Sequence, residues 1–444
     1  MFIDEKELLT HIPQAGQKYD VIVVGGGNAG IGAAIAAALT GAKVLVIEGR
    51  SHFGGTGYLM NWMPMNRMRL KSGEQLGKTH QVFLDALRKY GEDAIIKGKE
   101  NKFDGSNYSI HPDYLRFAIF EMLESVGADY VLFSPVCDVV KENDRVTGVI
   151  CQTKSGKVAY YADIVIDASG DADVAYMAGA QMIYGEEGTG KTMEPALGFV
   201  VCNADAKKFI DYTLADQRAD FNRVIDEYDA KGYAVAKWYQ FDMATVSGAV
   251  SVNNGGMRHC EAFNAVESDK LTLGERMGMA IAIDFIQIAR DAKLPGLENC
   301  QLMRMGDAVA VRESRRIVGE YTMTVEDSWT ERDFEDAILR RYCQTDRDKI
   351  PGKQPAEYKL KMHSGHTFPY RCLIPKGLEG LLVAGRCASA THLGGNVARS
   401  MGTMIWMGQA AGIAAAMCAK EKCGVRDVDI KRVQQTIRDF GYPL

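Results

Sequence analysis

The chain has 444 residues, 47% of them apolar and 25% charged, with a formal net charge of −5. This is ordinary globular composition, long enough for about two or three domains and a substantial core. The acidic balance and the lack of a basic stripe or tail exclude a nucleic-acid binder; the nearest approach, "RESRR" at 312–316, is short and mixed in sign.

Ten cysteines are scattered without any C-x-x-C spacing. Zinc ribbons and thioredoxin-like pairs are therefore excluded, no metal site is expected, and free thiols in a reducing cytosol are the expectation. The N-terminal "MFIDEKELLTHIPQ" lacks the charged-then-apolar pattern of a leader. A cytoplasmic chain is expected.

The first informative element is "YDVIVVGGGNAGIGAAIAAALTGAKVLVIEGR". Val21–Val24 is an apolar run suited to a buried parallel strand. Gly25 permits a tight turn, Gly27 lets backbone approach a pyrophosphate, and Gly30 lets the following helix lie against the strand. That helix opens at Asn28 and Ala29, where free N–H groups face phosphate. "KVLVIE" is the second strand, and Glu48 stands where an acid accepts hydrogen bonds from a ribose diol, with Gly49 and Arg50 beside it. A bare G-x-G-x-x-G is weak, but a complete strand–helix–strand unit around it points firmly to a dinucleotide. It does not separate FAD from NAD.

"GEEGTGKT" at 185–192 fits the phosphate-loop pattern letter for letter. Such a loop needs a helix immediately after it. Here "TMEPALGFVV" follows and reads as strand, so a turn between domains is expected and nucleotide hydrolysis is not. "NNGGMRHCEAFNAVESD" at 253–269 is polar and glycine-rich; Asn253, Asn254, Arg258 and His259 either line a pocket or form a plain loop. In "VRESRRIVGEY" the charges fall on several faces of one helical turn, so a salt-bridged helix is expected; alternatively Arg312 or Arg315 anchors an anionic substrate. Residues 401–418 carry no charge and contain Gly408-x-x-x-Gly412. Length alone would allow a membrane span, but the dominance of Ala, Gly and Met favours a buried helix and no span.

Further segments resemble flavoproteins. After Glu48 comes "GRSHFGGTG", similar to glutathione reductase and its relatives, where Gly54, Gly55 and Thr56 would continue along the pyrophosphate. In that class the valine after the next strand, Val136 here, lies near adenine, and Ala168-Ser169-Gly170 occupies the place of an "ATG"-like strand end. "GLEGLLVAGRCASATHLGGNVARSMGTMIWMGQAAGIAAA" supplies Gly385-Arg386 and a helix starting near Met401-Gly402. Its N-terminus would face the flavin pyrimidine and stabilise negative charge there.

Taken together, the motifs from about residue 19 to the C-terminus resemble the soluble FAD-dependent oxidoreductases related to succinate dehydrogenase and fumarate reductase flavoproteins. The resemblance implies an α/β fold: a discontinuous Rossmann-like FAD-binding domain at 1–190 and 365–444, with an inserted α+β cap or substrate domain at 191–364. It implies FAD, with non-covalent binding favoured over attachment through His52, whose spacing to the glycine pair is too short. There is no second G-x-G-x-x-G, so an unknown electron donor or acceptor would use the same flavin face.

Catalytic candidates come from the loops returning to the flavin: His392, Arg399, His366 and Arg371. His392 serves as proton carrier or as a backbone-bonded loop histidine. Arg399 binds a substrate carboxylate, stabilises reduced flavin or pairs with an acidic loop residue. Arg386 either reaches the pyrophosphate or is a surface arginine. His363, His366, Tyr370 and Arg371 form either a substrate contact or a surface turn. The expected reaction is hydride transfer between flavin and a small polar substrate, either C–C desaturation or reduction, or alcohol oxidation. A flavin-dependent monooxygenase or oxidase, and a protein with structural or non-redox FAD, are the alternatives. A homo-oligomer is possible.

Overall fold

The computed structural model describes residues 9–13, 16–61, 64–68, 77–101, 105–214, 217–258, 264–341 and 365–444. His259 and His363 lie outside them.

Apolar runs without polar alternation must be covered on both faces, and the first two strands meet that demand. Strand β1 (Lys18–Val24) buries Val21–Val24, and β2 (Val44–Ile47) buries all of its residues. They pair in parallel, with helix α1 (Asn28–Leu39) as the crossover. Strand β3 (Asp129–Val131) extends the parallel sheet beyond β2. On the other side lies β6 (Gly156–Asp167), parallel to β1, whose first half carries an antiparallel ladder of β5 (Arg145–Thr153) and β4 (Val136–Glu142). The order is β3-β2-β1-β6-β5-β4. This is the expected α/β, Rossmann-like arrangement. Between β2 and β3 the chain inserts a small antiparallel sheet (64–65, 95–101 and 105–110) and the helix Pro112–Ser125.

A second, wholly antiparallel sheet follows: β7 (Phe199–Cys202), β8 (Ala236–Met243), β9 (Val250–Met257) and β10 (Gln301–Met305), in the order β8-β9-β7-β10. Helix α2 (Ser268–Asp291) covers it. Its core is aromatic. Phe241 meets Phe209 edge-on at 4.7 Å and Phe221 at 5.2 Å, and Phe199 meets Phe285 at 5.4 Å, arrangements favoured by the ring quadrupole.

The "RESRR" stretch is not the expected helix. Residues 311–314 are irregular, and Arg315–Ile317 is strand β11, antiparallel to Met182–Tyr184. The reason is tertiary. Arg316 is 1% exposed, donates to the carbonyls of Ala390 and Gly185, and pairs with Glu313. An extended backbone delivers the guanidinium to those waiting acceptors, and local helix propensity is overridden. Ile317, Met323, Phe334, Ile338 and Leu339 already belong to the cores around the first sheet. Packing thus returns the chain to that sheet well before residue 364.

Strand β12 (Leu381–Val383) then joins in parallel beside the end of β6. Helix α3 (Met401–Glu421) is buried at every residue from Gly402 to Ala419. Among the described residues it is the one helix long and apolar enough to cross a membrane. It is instead the central packing element, lying directly on α1. A Cβ at Gly408 would come within 1.9 Å of the Ala29 carbonyl oxygen, and one at Gly412 within 2.2 Å of that of Ala33. The small residues are therefore the condition for contact between the two backbones.

Candidate active site

The ends of β1, β2, β6 and β12 open onto a cleft of about 390 Å³ that the second sheet closes from the opposite side. From the first sheet's turns it is lined by Gly25, Gly27, Asn28, Ala29, Glu48, Arg50, Gly55, Thr56, Ala168, Ser169, Gly170, Gly385 and Arg386. These sequence candidates, dispersed over more than 350 residues, are thus brought into one wall. The location is the one general to open α/β sheets, at the carboxyl ends of the strands.

The glycines divide into two kinds. Gly25 has φ of 101°, and a Cβ there would meet the Ala168 carbonyl oxygen at 2.4 Å; at Gly30 it would meet that of Gly25 at 1.8 Å. Both positions build the turn. Gly30 supports the wall from beneath and does not line it. Gly27 is extended, and a Cβ there would touch only the Gly55 Cα, at 3.7 Å. Two glycine turns therefore face each other with bare backbone. Between them α1 begins with no side-chain cap, so its first-turn N–H groups remain for an anion. That is a cradle for a diphosphate.

Glu48 closes the turn electrostatically. One carboxylate oxygen accepts the Gly26 N–H at 2.8 Å and the other the Arg50 N–H at 2.9 Å. Lone pairs remain on both for ribose hydroxyls. Gly49 and Gly54 are supports: a Cβ on Gly49 would meet Pro135 at 3.1 Å, and the Gly54 N–H donates to the Gly26 carbonyl. Val136 is not in the lining. It begins β4 opposite Cys151 and packs against the core behind the sheet.

Arg386 and Asp171 form a charged floor. The guanidinium lies against Gly170 and donates to the Asp171 carboxylate at 2.6 Å, which also accepts the Ser314 hydroxyl at 2.5 Å. Burial pushes the Asp171 carboxyl upward, but the Arg386 charge and the Ser314 hydroxyl outweigh it and hold it below the usual range. Neighbouring Asp173 is pushed up to about 6 by burial and by Asp171. The Arg386 Nε is buried without a partner, as is Nε2 of His52, another lining residue that is 8% exposed. Orphaned polar atoms in a cleft wall are the mark of a site that a ligand completes. With the glycine cradle and Glu48, they fit FAD.

The rest of the lining comes from Leu59, Met60 and Asn66, from Asn253 and Ala265, from Leu271 and Glu275 of α2, from 308–312, and from Arg399, Ser400, Met401 and Met404. Gly402 is not part of it. Its N–H donates to the Asn66 carbonyl at 3.0 Å, so this amide does not face a flavin. Arg312 is enclosed. It donates to the Glu194 carbonyl and to Asn253 Oδ1 at 3.3 Å, and lies over the Trp238 ring at 5.2 Å. Burial, then the charge of Arg399, pushes it down to about 9.

Of the catalytic candidates only Arg399 reaches the cleft. His392 starts a short helix and bonds through Nδ1 to Glu313 at 2.7 Å, outside the lining. Arg371 is a surface residue bound to Asp336 through Nε and Nη2. Asn254 is buried within β9, and Arg258 pairs with Asp226 and Asp229. "GEEGTGKT" is a turn closed by Glu186 and Lys191 backbone bonds, with no helix after it. Sequence reasoning passed over Asp171, Asn66, Met60, Leu271, Glu275 and Val309. Only Asp171 carried a signal, as the acid directly after the Gly170 turn.

His366 is likewise corrected. It is 2% exposed, beside Ser328 Oγ at 3.2 Å, and is pushed down to about 3 by burial and then by Arg341 and Arg340. His80, whose Nε2–H donates to the Gly402 carbonyl at 3.2 Å, is also pushed down to about 3 by burial. Both are neutral in the fold. Between about pH 6.5 and 3 the unfolded chain binds protons that the folded one refuses, so stability falls with pH, by about 1.4 kcal/mol per histidine per unit. Urea unfolding at pH 7, 6 and 5 will show that slope, and His80→Gln and His366→Gln will each flatten it. An unchanged slope in both variants would place the acid sensitivity elsewhere.

Comparison with known proteins agrees with this geometry. The family described as FAD dependent oxidoreductase matches residues 20–437. Digeranylgeranylglycerophospholipid reductase of Picrophilus torridus is 32% identical over 160 residues, 34% of this chain and 39% of that protein. Glutathione reductase of Debaryomyces hansenii is 35% identical over 124 residues, 27% of this chain and 24% of its own. The matched stretches thus span well under half of these relatives. A geranylgeranyl bacteriochlorophyll reductase-like protein from Thermoplasma acidophilum shares the fold at a TM-score of 0.50 and 16% identity, covering 95% of this chain and 84% of its own.

Proposed function

The chain belongs to the FAD dependent oxidoreductase family, and from that premise we propose that it holds FAD non-covalently in the glycine-lined cleft and passes hydride between flavin and a small substrate seated against the second sheet. The carrying observation is the pair of bare turns at Gly27 and Gly55 beside the uncapped start of α1. FAD, when bound, supplies the hydride-accepting or hydride-donating ring. The α1 amides and Arg386 bind the diphosphate, and Glu48 the ribose. Met60, Val309, Met401 and Met404 exclude water from the substrate half, where the second sheet and α2 act as a cap. The closer tie to succinate dehydrogenase and fumarate reductase flavoproteins rests on motifs.

In the same wall Glu275 accepts the Val309 N–H at 2.6 Å through one carboxylate oxygen. The other is left to give or take the proton that accompanies hydride transfer. Glu275→Gln is expected to lower turnover roughly 100-fold with FAD content unchanged. Equal turnover in that variant would remove Glu275 from the reaction.

The function is tested by anaerobic mixing of the yellow protein with carboxylates, hydroxy acids and sugars, and of the reduced protein with unsaturated acids. Bleaching or return of the flavin bands with product formed in equal amount supports hydride transfer. Rapid product-forming use of oxygen would point to an oxygenase or oxidase, and turnover with unchanged flavin absorbance to a non-redox role.

A further inference from the structure

His52 stands in the cleft wall with a buried Nε2 that has no hydrogen-bond partner. The ring is otherwise fixed. Its Nδ1 lies 2.9 Å from the Ser51 hydroxyl, and it packs at a tilt against Tyr58 with ring centroids 4.0 Å apart. Tyr58 is buried and is itself held from two sides. Its hydroxyl oxygen accepts from Arg116 Nη1 at 3.1 Å, on the helix Pro112–Ser125, and from Arg304 Nη2 at 2.7 Å, on β10 of the second sheet. Both guanidinium groups lie over the Tyr58 ring, at 5.3 and 5.2 Å. The charge of Arg304 is matched by Asp113 at 2.8 Å and Asp307 at 3.1 Å. A continuous run of contacts therefore leads from the second sheet through Arg304 and Tyr58 to His52 and the cleft.

Burial holds the His52 ring below its usual pKa; Asp307 opposes this, and Arg116, Arg50 and Arg304 reinforce it. A neutral imidazole carries a single N–H. In the chain His52 lies between Arg50 and the Gly54–Gly55 turn, and Gly55 faces Gly27 across the cradle. We propose that His52 donates from Nε2–H to the FAD diphosphate, and that Arg304 is the positioning residue that holds it there through Tyr58, so that closure of the second sheet and retention of the cofactor are coupled. The inference rests on the reading of the glycine-lined cleft as the FAD site. The Ser51 hydroxyl then donates to Nδ1 and keeps the hydrogen on Nε2, as an acceptor-rich diphosphate requires. The ligand in turn relieves the cost of a buried donor that the protein leaves unpaired. Arg304, already matched to two acids, acts on the cofactor by position and not by charge.

The test is titration of the apoprotein with FAD and with ADP, read by flavin fluorescence and calorimetry. His52→Phe keeps a ring against Tyr58 and removes the stranded donor. It is expected to raise the urea midpoint of the apoprotein while weakening FAD and ADP alike by about 10-fold. His52→Gln, whose amide N–H can stand in for Nε2–H, recovers part of that loss. A merely structural residue would move stability and affinity in the same direction. Arg304→Met is expected to weaken FAD about 5-fold in the wild-type background but less than about 2-fold on top of His52→Phe, since its effect passes through His52. Tyr58→Phe cuts the bond to Arg304 and leaves the ring contact, and it serves if Arg304→Met does not fold. Wild-type affinity in His52→Phe would overturn the donor. Weakened FAD with unchanged ADP would overturn the diphosphate assignment. Losses that multiply in the double variant would overturn the route from Arg304. A wild-type protein that takes up no FAD would instead remove the cofactor reading itself, and this inference with it.

Discussion

Gly27→Val yields a folded, colourless protein. The Gly27 backbone is extended, with φ of −82°, a conformation open to any residue, and the added Cβ meets only the Gly55 Cα at an ordinary 3.7 Å. A Cβ is thus accommodated at this position. The branched side chain instead occupies the space over the α1 amides where a diphosphate would lie. Affinity for FAD is expected to fall at least 100-fold, about 2.7 kcal/mol, while the urea midpoint of the apoprotein stays that of the wild type. Gly30→Val is the contrasting control. Its Cβ would overlap the Gly25 carbonyl oxygen at 1.8 Å, so this variant loses the fold together with the cofactor. Flavin absorbance after reconstitution separates the cases, and a yellow Gly27→Val protein of native affinity would show that the diphosphate lies elsewhere.

Glu313→Ala is expected to cost about 3–5 kcal/mol of stability, because it strands a buried cation. Glu313 is 3% exposed and accepts from Arg316, from the Met193 N–H at 2.8 Å and from His392 Nδ1 at 2.7 Å. Arg316 is itself 1% exposed and pushed down to about 10 by burial. Its remaining partners are neutral carbonyls. The double variant Glu313→Ala/Arg316→Met should recover part of the loss, since both charges then leave the interior. Urea unfolding of the two variants measures the effect. A single variant within about 0.5 kcal/mol of wild type, the range typical of exposed positions, would mean that water reaches this cluster.

The turns proposed to hold the cofactor were legible because their shape is carried by backbone. Gly25, Gly27 and Gly30 sit at fixed offsets after an apolar strand, and those offsets are set by the geometry of one turn and one helix. The same holds for Gly55 and for Ala168–Gly170, each directly at a strand end or turn. The catalytic candidates fared differently. His366 and Arg371 stood in a polar segment, yet one is sealed in the core beside Ser328 and the other faces solvent on Asp336. A polar residue type reports that a partner is needed without saying which partner is found. His392 found Glu313, nearly 80 residues away in the chain. The helix expected at "RESRR" failed for the same reason: two carbonyls distant in sequence, those of Gly185 and Ala390, took Arg316.

From its amino-acid order alone this chain was bound to form a parallel strand–helix–strand unit with a diphosphate cradle, and a small-residue helix able to lie against it. Both follow from short-range sterics: where a Cβ is missing, backbone can approach backbone or phosphate. What lines the rest of the cleft was decided only when the second sheet closed over the first. That closure brings Asn253, Glu275 and Arg312 into one cleft with Arg399. Charge selects among partners by distance in space, and those distances do not exist until two sheets far apart in the chain have packed together.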